Sequence, residues 1–231
     1  MYMRQASEEN PLWPPSFSAA IFDFDDTLAL THDLWRQVDM AFLGARGIRY
    51  TPDVGRTLTT LGFAGGARWC IERYGLEETV EEICDEWNAM GRALYATKVR
   101  LRPGAREYLA ALRSAGVPIA LATTNDPDVL ASMRRNVDVY TLFDAVVCAR
   151  EVGCGKDRPD IYLEAARRIS AQPKGCMVFE DLLQGICSAK RAGMRTCAVL
   201  SDNPLQNARE VVDTAGCAIA SWREALGDDK R

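Results

Sequence analysis

A chain of 231 residues is long enough for one ordinary domain with an accessory subdomain and too short for two large independent ones. Hydrophobic residues at 48% and charged residues at 26% are the mixture of a globular protein that packs a core, and no apolar run approaches the roughly 20 residues of a membrane helix. A net charge of −4 supplies no global basic field, which argues against nucleic acid and anionic lipid surfaces as partners.

In chain order, Met1–Ser18 comes first, with prolines at Pro11, Pro14 and Pro15 and charges at Arg4, Glu8 and Glu9. It lacks the apolar stretch and cleavage site of a signal peptide and reads as a flexible or loosely packed lead-in. Ala19–Phe24 is the first of five short apolar runs that read as buried parallel strands; the others are Val117–Ala122, Ala145–Cys148, Met177–Phe179 and Thr196–Leu200. About ninety residues separate the first two, far more than the ~10–12 of a minimal crossover. Within that interval Leu34–Leu43, Gly66–Arg73 and Thr79–Ala96 space their apolar residues by three and four, which predicts helices.

The later strands alternate with helices. Pro103-Gly104 opens one that runs to about Ser114 and stops at Gly116. Asp126-Pro127 opens the next, Pro159-Asp160 a third that ends near Ser170, and Leu183–Ala192 is a fourth stopped by Gly193. This order predicts an α/β fold, a Rossmann-like parallel sheet covered on both faces, with a helical subdomain inserted after its first strand. The expected division is residues 1–28 and 100–231 for the core and 29–99 for the insert. The eight cysteines form no C-x-x-C pair and several sit in apolar runs, so they read as free thiols in a reducing cytoplasm.

In an open parallel sheet, ligands bind at the carboxyl ends of the strands. Asp23, Asp25, Asp26 and Thr27 follow the first strand; Thr123, Thr124 and Asn125 the second; Lys156 the third; Glu180 and Asp181 the fourth. Asp23 and Asp25, one residue apart, point the same way and repel each other, which calls for a divalent cation. With Glu180 and Asp181 they make an all-oxygen donor set that suits Mg²⁺ better than zinc. Thr123, Thr124 and Lys156 are the candidate holders of a phosphoryl group.

Four stretches carry a family resemblance. Ile21-Phe22-Asp23-Phe24-Asp25-Asp26-Thr27-Leu28 resembles the D-x-D-x-T motif of haloacid-dehalogenase-like phosphatases, and Leu121–Asn125 is similar to their strand ending in Thr or Ser. Gly155–Tyr162 resembles their G-K-P-x-P-D-I-Y motif, and Val178-Phe179-Glu180-Asp181 with Gly185-Ile186 and Ala192-Gly193-Met194 resembles the fourth. The resemblance implies a phosphatase acting on a small phosphorylated metabolite. Asp23 would be the nucleophile that forms an aspartyl-phosphate, and Asp25 the proton carrier. Asp23, the carbonyl of Asp25 and Asp181, with Glu180 in support, would hold Mg²⁺. The inserted helices would be a mobile cap whose segment Gly62–Gly66, between two cap helices, reaches toward the site, with Phe63 and Arg68 as candidate substrate contacts.

Some positions depart from the pattern. Asp26 stands where many relatives have Gly, and Leu182 where Ser is common. His32, the single histidine, lacks partners for a metal site and belongs near the start of a cap helix. Trp35 occupies the position where the β-phosphoglucomutases of this superfamily carry a cap histidine, which argues for hydrolysis over mutase chemistry. A phosphosugar mutase and a non-catalytic binding protein of the same fold remain the alternatives. Dehalogenation is disfavoured because a halide needs no proton from Asp25.

Overall fold

The computed structural model describes residues 12–227. β1 (Ala19–Phe22) is followed by three helices, α1 (His32–Ala45), α2 (Pro52–Tyr74) and α3 (Val80–Lys98). Then α4 (Ala105–Ser114) leads to β2 (Ile119–Thr123), and α5 (Pro127–Ser132) with the single-turn α6 (Val139–Leu142) leads to β3 (Ala145–Cys148). The short α7 (Ala149–Val152) and α8 (Asp160–Arg168) precede β4 (Cys176–Glu180), and α9 (Leu183–Arg191) precedes β5 (Arg195–Val199). Finally α10 (Ala208–Thr214), β6 (Cys217–Ile219) and α11 (Trp222–Leu226) complete the described chain.

All six strands pair in parallel, in the order β3-β2-β1-β4-β5-β6. β1, β2 and β4 are buried along their whole length, which is why each reads as an unbroken apolar run. Alternate residues of β1 serve opposite faces. Ala20 and Phe22 join the core built on Tyr108, Phe179 and Trp222, while Ala19 and Ile21 join a second core with Ile161, Tyr162 and Ala165. Phe22 stacks on Phe179 of the neighbouring strand with ring centroids 4.7 Å apart, and burying a side chain of that size contributes roughly 1.5–3 kcal/mol.

The inserted helices have a hydrophobic cluster of their own, built on Val38, Phe42, Leu58, Cys70, Ile83 and Trp87. Local signals delimit them. Pro52 opens α2 behind a Thr51 hydroxyl that accepts the Val54 N–H at 3.4 Å, and Gly75 closes it in the left-handed conformation. Thr79 and Glu82 form a capping box at the start of α3. The chain leaves and rejoins the sheet layer side by side: Ala29 bridges Leu101, and the Arg102 N–H donates to Leu28 O at 2.7 Å.

Three expectations are corrected. The lead-in is not loose throughout: Leu12 and Phe17 are buried in the sheet core, and the Ser18 N–H donates to Gly175 O at 2.9 Å. The part of that reading that concerns residues 1–11 lies outside the described residues. A sixth strand, β6, exists where no strand was read, since three half-buried residues are too short for any pattern to emerge. Gly62–Gly66 is narrower than the expected junction between helices: Gly62 alone leaves helical geometry (φ 66°, ψ −174°) and separates the two helical stretches of α2, the second of which takes in Phe63–Gly66. None of the eight cysteines is in a disulfide, and four of them are buried.

Candidate active site

Asp23 is the first residue past β1, anchored by its N–H, which donates to Phe179 O at 3.0 Å. Its carboxylate is asymmetric. Oδ1 accepts a hydrogen bond from Lys156 Nζ, whereas Oδ2 is buried with no hydrogen-bond partner among the described residues. Lys156 also donates to Glu180 Oε1 at 2.5 Å. The Tyr162 hydroxyl donates to the same oxygen at 2.9 Å, and the N–H groups of Asp181 and Leu182 donate to Oε2 at 3.0 and 3.1 Å. Glu180 therefore needs no hydroxyl at position 182, because the backbone supplies that donor. Gly185 is required beside it: a Cβ there would lie 2.4 Å from the Glu180 carboxyl carbon.

One carboxylate oxygen each from Asp23, Glu180 and Asp181 lie within 4.8 Å of one another, all buried. Burial, with Glu180 and Asp25 adding to it against the pull of Lys156, pushes the Asp23 carboxyl up to about 8. Burial and the charges of Glu180 and Asp23 raise Asp181 well above the usual carboxylate range. Burial alone would lower Lys156, yet the Asp23 and Glu180 carboxylates hold its ammonium firmly charged. One buried lysine against three carboxylates leaves a deficit of positive charge. The unsatisfied Asp23 Oδ2 and this all-oxygen donor set fit a hard divalent cation such as Mg²⁺.

Asp25 faces the inserted helices. Its Oδ1 accepts the Thr31 hydroxyl at 2.6 Å and the Tyr95 hydroxyl, and its Oδ2 accepts Asn125 Nδ2 at 2.6 Å. Tyr95 in turn accepts the Trp35 indole N–H at 3.0 Å. Burial raises the Asp25 carboxyl, and the two hydroxyl donors act against that rise. Thr123 is wholly buried at the end of β2, where its Oγ1 accepts the Asn125 N–H at 3.1 Å; Thr124, next to it, is exposed.

Asp26 adopts φ 55°, a left-handed conformation that glycine takes without strain. Its side chain ties the turn down. Oδ1 accepts the N–H groups of Thr31 at 2.9 Å and His32 at 3.2 Å and lies 2.8 Å from His32 Nδ1, while Oδ2 accepts Asn203 Nδ2 at 2.7 Å. Arg102 closes the node from below, donating to Asp26 O at 2.8 Å. His32, the first residue of α1, thus joins the sheet domain to the insert.

A family model described as haloacid dehalogenase-like hydrolase matches residues 17–193. The chain belongs to the haloacid dehalogenase-like hydrolases. It is 31% identical to a probable pseudouridine-5'-phosphatase of Drosophila melanogaster, over 83% of this chain and 87% of that protein. It is 26% identical to a phosphorylated carbohydrates phosphatase of Thermotoga maritima, over 90% of this chain and 96% of that one. Among solved structures, CbbY from Rhodobacter sphaeroides in complex with phosphate superposes with a TM-score of 0.80 at 26% identity, covering 90% of this chain and 96% of its own. This hydrolase is therefore an enzyme with the α/β fold that its strand pattern predicts.

Of the residues singled out in this hydrolase from sequence, the structure brings Asp23, Lys156, Glu180 and Asp181 into one cluster with Asp25 beside it, while Thr123 bonds Asn125, which in turn bonds Asp25. Phe63 and Arg68 both lie on α2. Phe63 packs edge-on against Trp35 and Trp87 inside the cluster of the inserted helices, and Arg68 is exposed. Sequence reading missed Tyr95 and Thr31 as partners of Asp25, Trp35 as the partner of Tyr95, and Tyr162 as a partner of Glu180. Asn125 alone carried a signal, as a polar residue directly after a strand.

Proposed function

We propose that this hydrolase is a Mg²⁺-dependent phosphatase that cleaves a small organic phosphomonoester through an aspartyl-phosphate on Asp23. The observation that carries the reading is the division of labour between two carboxylates two positions apart. Asp23 sits beside Lys156 with one oxygen uncommitted, while Asp25 is held by two hydroxyls and an amide. A nucleophile needs the first environment and a proton carrier the second.

Asp23 attacks phosphorus in line as Asp25 protonates the leaving oxygen; Asp25 then takes a proton from the water that hydrolyses the intermediate. Lys156 and Thr123 stabilise the transferring phosphoryl oxygens, whose charge is the main thing such a site must manage. Asp23 and Asp181, with the Asp25 carbonyl, would hold Mg²⁺, which supplies neutralising charge to carboxylate and phosphoryl oxygens. Glu180 supports them by fixing Lys156. Residues 29–99 act as a cap that excludes bulk water. The relatives named for pseudouridine and carbohydrate phosphates favour a phosphorylated sugar or nucleoside as the substrate class. Trp35, bonded to Tyr95 where a mutase histidine is expected, favours water over a sugar as the acceptor.

The test is turnover of 4-nitrophenyl phosphate. Asp23→Asn should lose it, and chelation of divalent cations should stop the wild-type enzyme; full activity in either case would sink the mechanism.

A further inference from the structure

The three hydrogen bonds that Asp25 accepts are unevenly shared. Oδ1 takes two hydroxyls, Thr31 and Tyr95, and among the described residues Oδ2 takes only Asn125. Each carboxylate oxygen offers two lone pairs, so Oδ1 is filled and Oδ2 keeps one. Tyr95 lies on α3, seventy residues along the chain, and its side chain is fully buried. Its oxygen accepts from the indole of Trp35 on α1, which leaves its own proton directed at Asp25. Gly91, one turn before Tyr95 on α3, makes room for that indole: a Cβ there would lie 2.7 Å from Trp35 Cη2. Two hydroxyls of the insert therefore converge on a single oxygen, with Trp35 behind one of them.

We propose that Tyr95, oriented by Trp35, is a positioning residue for the proton carrier: with Thr31 it fills Oδ1 of Asp25, so that the exchanged proton travels on Oδ2. The inference rests on the reading of Asp25 as the group that protonates the leaving oxygen. As the ester P–O bond breaks and the Asp23–phosphorus bond forms, the proton on Oδ2 passes to the leaving oxygen and Asp25 becomes a carboxylate. As water attacks phosphorus and the Asp23–phosphorus bond breaks, one water proton returns to Oδ2, releasing inorganic phosphate and restoring both carboxyl groups.

The experiment compares kcat/KM for two phosphomonoesters that differ in their need for a proton. Glycerol 2-phosphate leaves as an alkoxide unless protonated; 4-nitrophenyl phosphate leaves as a stable phenolate. Tyr95→Phe, which keeps the ring, should lower kcat/KM for the glycerol ester roughly tenfold or more, a part of the ~10²–10⁴ that a positioned proton carrier supplies. For the nitrophenyl ester the loss should stay under about threefold, and that retained rate also reports an intact fold. Trp35→Phe should move the same way by a smaller factor. Equal losses on both esters, or none, in both variants would overturn the inference. Asp25→Asn separates the two levels. If it discriminates between the esters and Tyr95→Phe does not, only the role of Tyr95 falls; if Asp25→Asn spares the glycerol ester, the reading of Asp25 falls and this inference with it.

Discussion

Lys156 lies between Asp23 and Glu180, donating to both, 2.5 Å from Glu180 Oε1. One ammonium is thus shared by the proposed nucleophile and the carboxylate that anchors the following loop. Lys156→Met should reduce kcat for 4-nitrophenyl phosphate by at least about 10²-fold, the loss seen when one donor to a developing oxyanion is removed. Arginine at the same position should not restore it, because a planar fork cannot replace a point charge between two oxygens. Steady-state kinetics on both variants decide the matter; activity within a few-fold of wild type in Lys156→Met would show that the phosphoryl charge is handled elsewhere.

The crowding of Asp23, Glu180 and Asp181 within 4.8 Å makes cation binding measurable without catalysis. A ligand that binds only the folded state stabilises it by RT ln(1 + [L]/Kd), about 2.7 kcal/mol at a hundredfold excess over Kd. Adding MgCl₂ should therefore raise the thermal midpoint of the wild-type enzyme. Asp181→Asn should abolish the rise, and its midpoint without cation should be equal to or above that of wild type, since a buried like charge is gone. A rise of the same size in Asp181→Asn would remove Asp181 from the cation site.

Asp26 offers a test of backbone against side chain. Asp26→Gly suits φ 55° better but discards the bonds to Thr31, His32 and Asn203. Hydrogen bonds to a charged group contribute ~1.5–3 kcal/mol each, whereas the conformational gain from glycine is about 1 kcal/mol, so Asp26→Gly should destabilise. Asp26→Val loses both and should fare worse, with a β-branched side chain at positive φ. Urea denaturation of the three proteins ranks them; a Gly variant more stable than wild type would mean that the turn is held by its backbone alone.

The parts of the site that could be read in the sequence are those in which the chemistry sits next to a strand end. Asp23, Thr123, Glu180 and Asp181 each follow directly on a buried apolar run, and the ends of parallel strands meet at one edge of the sheet. Tyr95 and Trp35 carry no such mark. On α3 and α1 they read as apolar positions of amphipathic helices, and the polar tip of each becomes visible only once the insert folds back onto Asp25. Phe63 is a mixed case: directly after the break at Gly62, it is half-buried and packs edge-on against Trp35 and Trp87, a contact that its place in the sequence does not reveal. Leu12 and Phe17 were hidden by the prolines around them, which mask a packed segment as an open one.

Asp39 on α1 provides a pH test remote from the proposed chemistry. Burial pushes its carboxyl up to about 7 from 3.8. The sign follows from linkage. Below about pH 4 the carboxyl is protonated in both folded and unfolded chains, and Asp39 costs nothing. Between about pH 4 and about pH 7 the unfolded chain ionises it first, so stability falls as pH rises; above that the full penalty is present. At 1.36 kcal/mol for each pH unit the ceiling is about 4 kcal/mol, and the partial exposure of Asp39 brings the real figure below it. Asp39→Asn has no such penalty. It should match wild type in thermal denaturation near about pH 4 and exceed it above about pH 7, with a midpoint gain of roughly 2–4 °C for every kcal/mol recovered. A gain of the same size at both pH values would place its cause in packing or hydrogen bonding, and the carboxyl of Asp39 would then not be the titrating group.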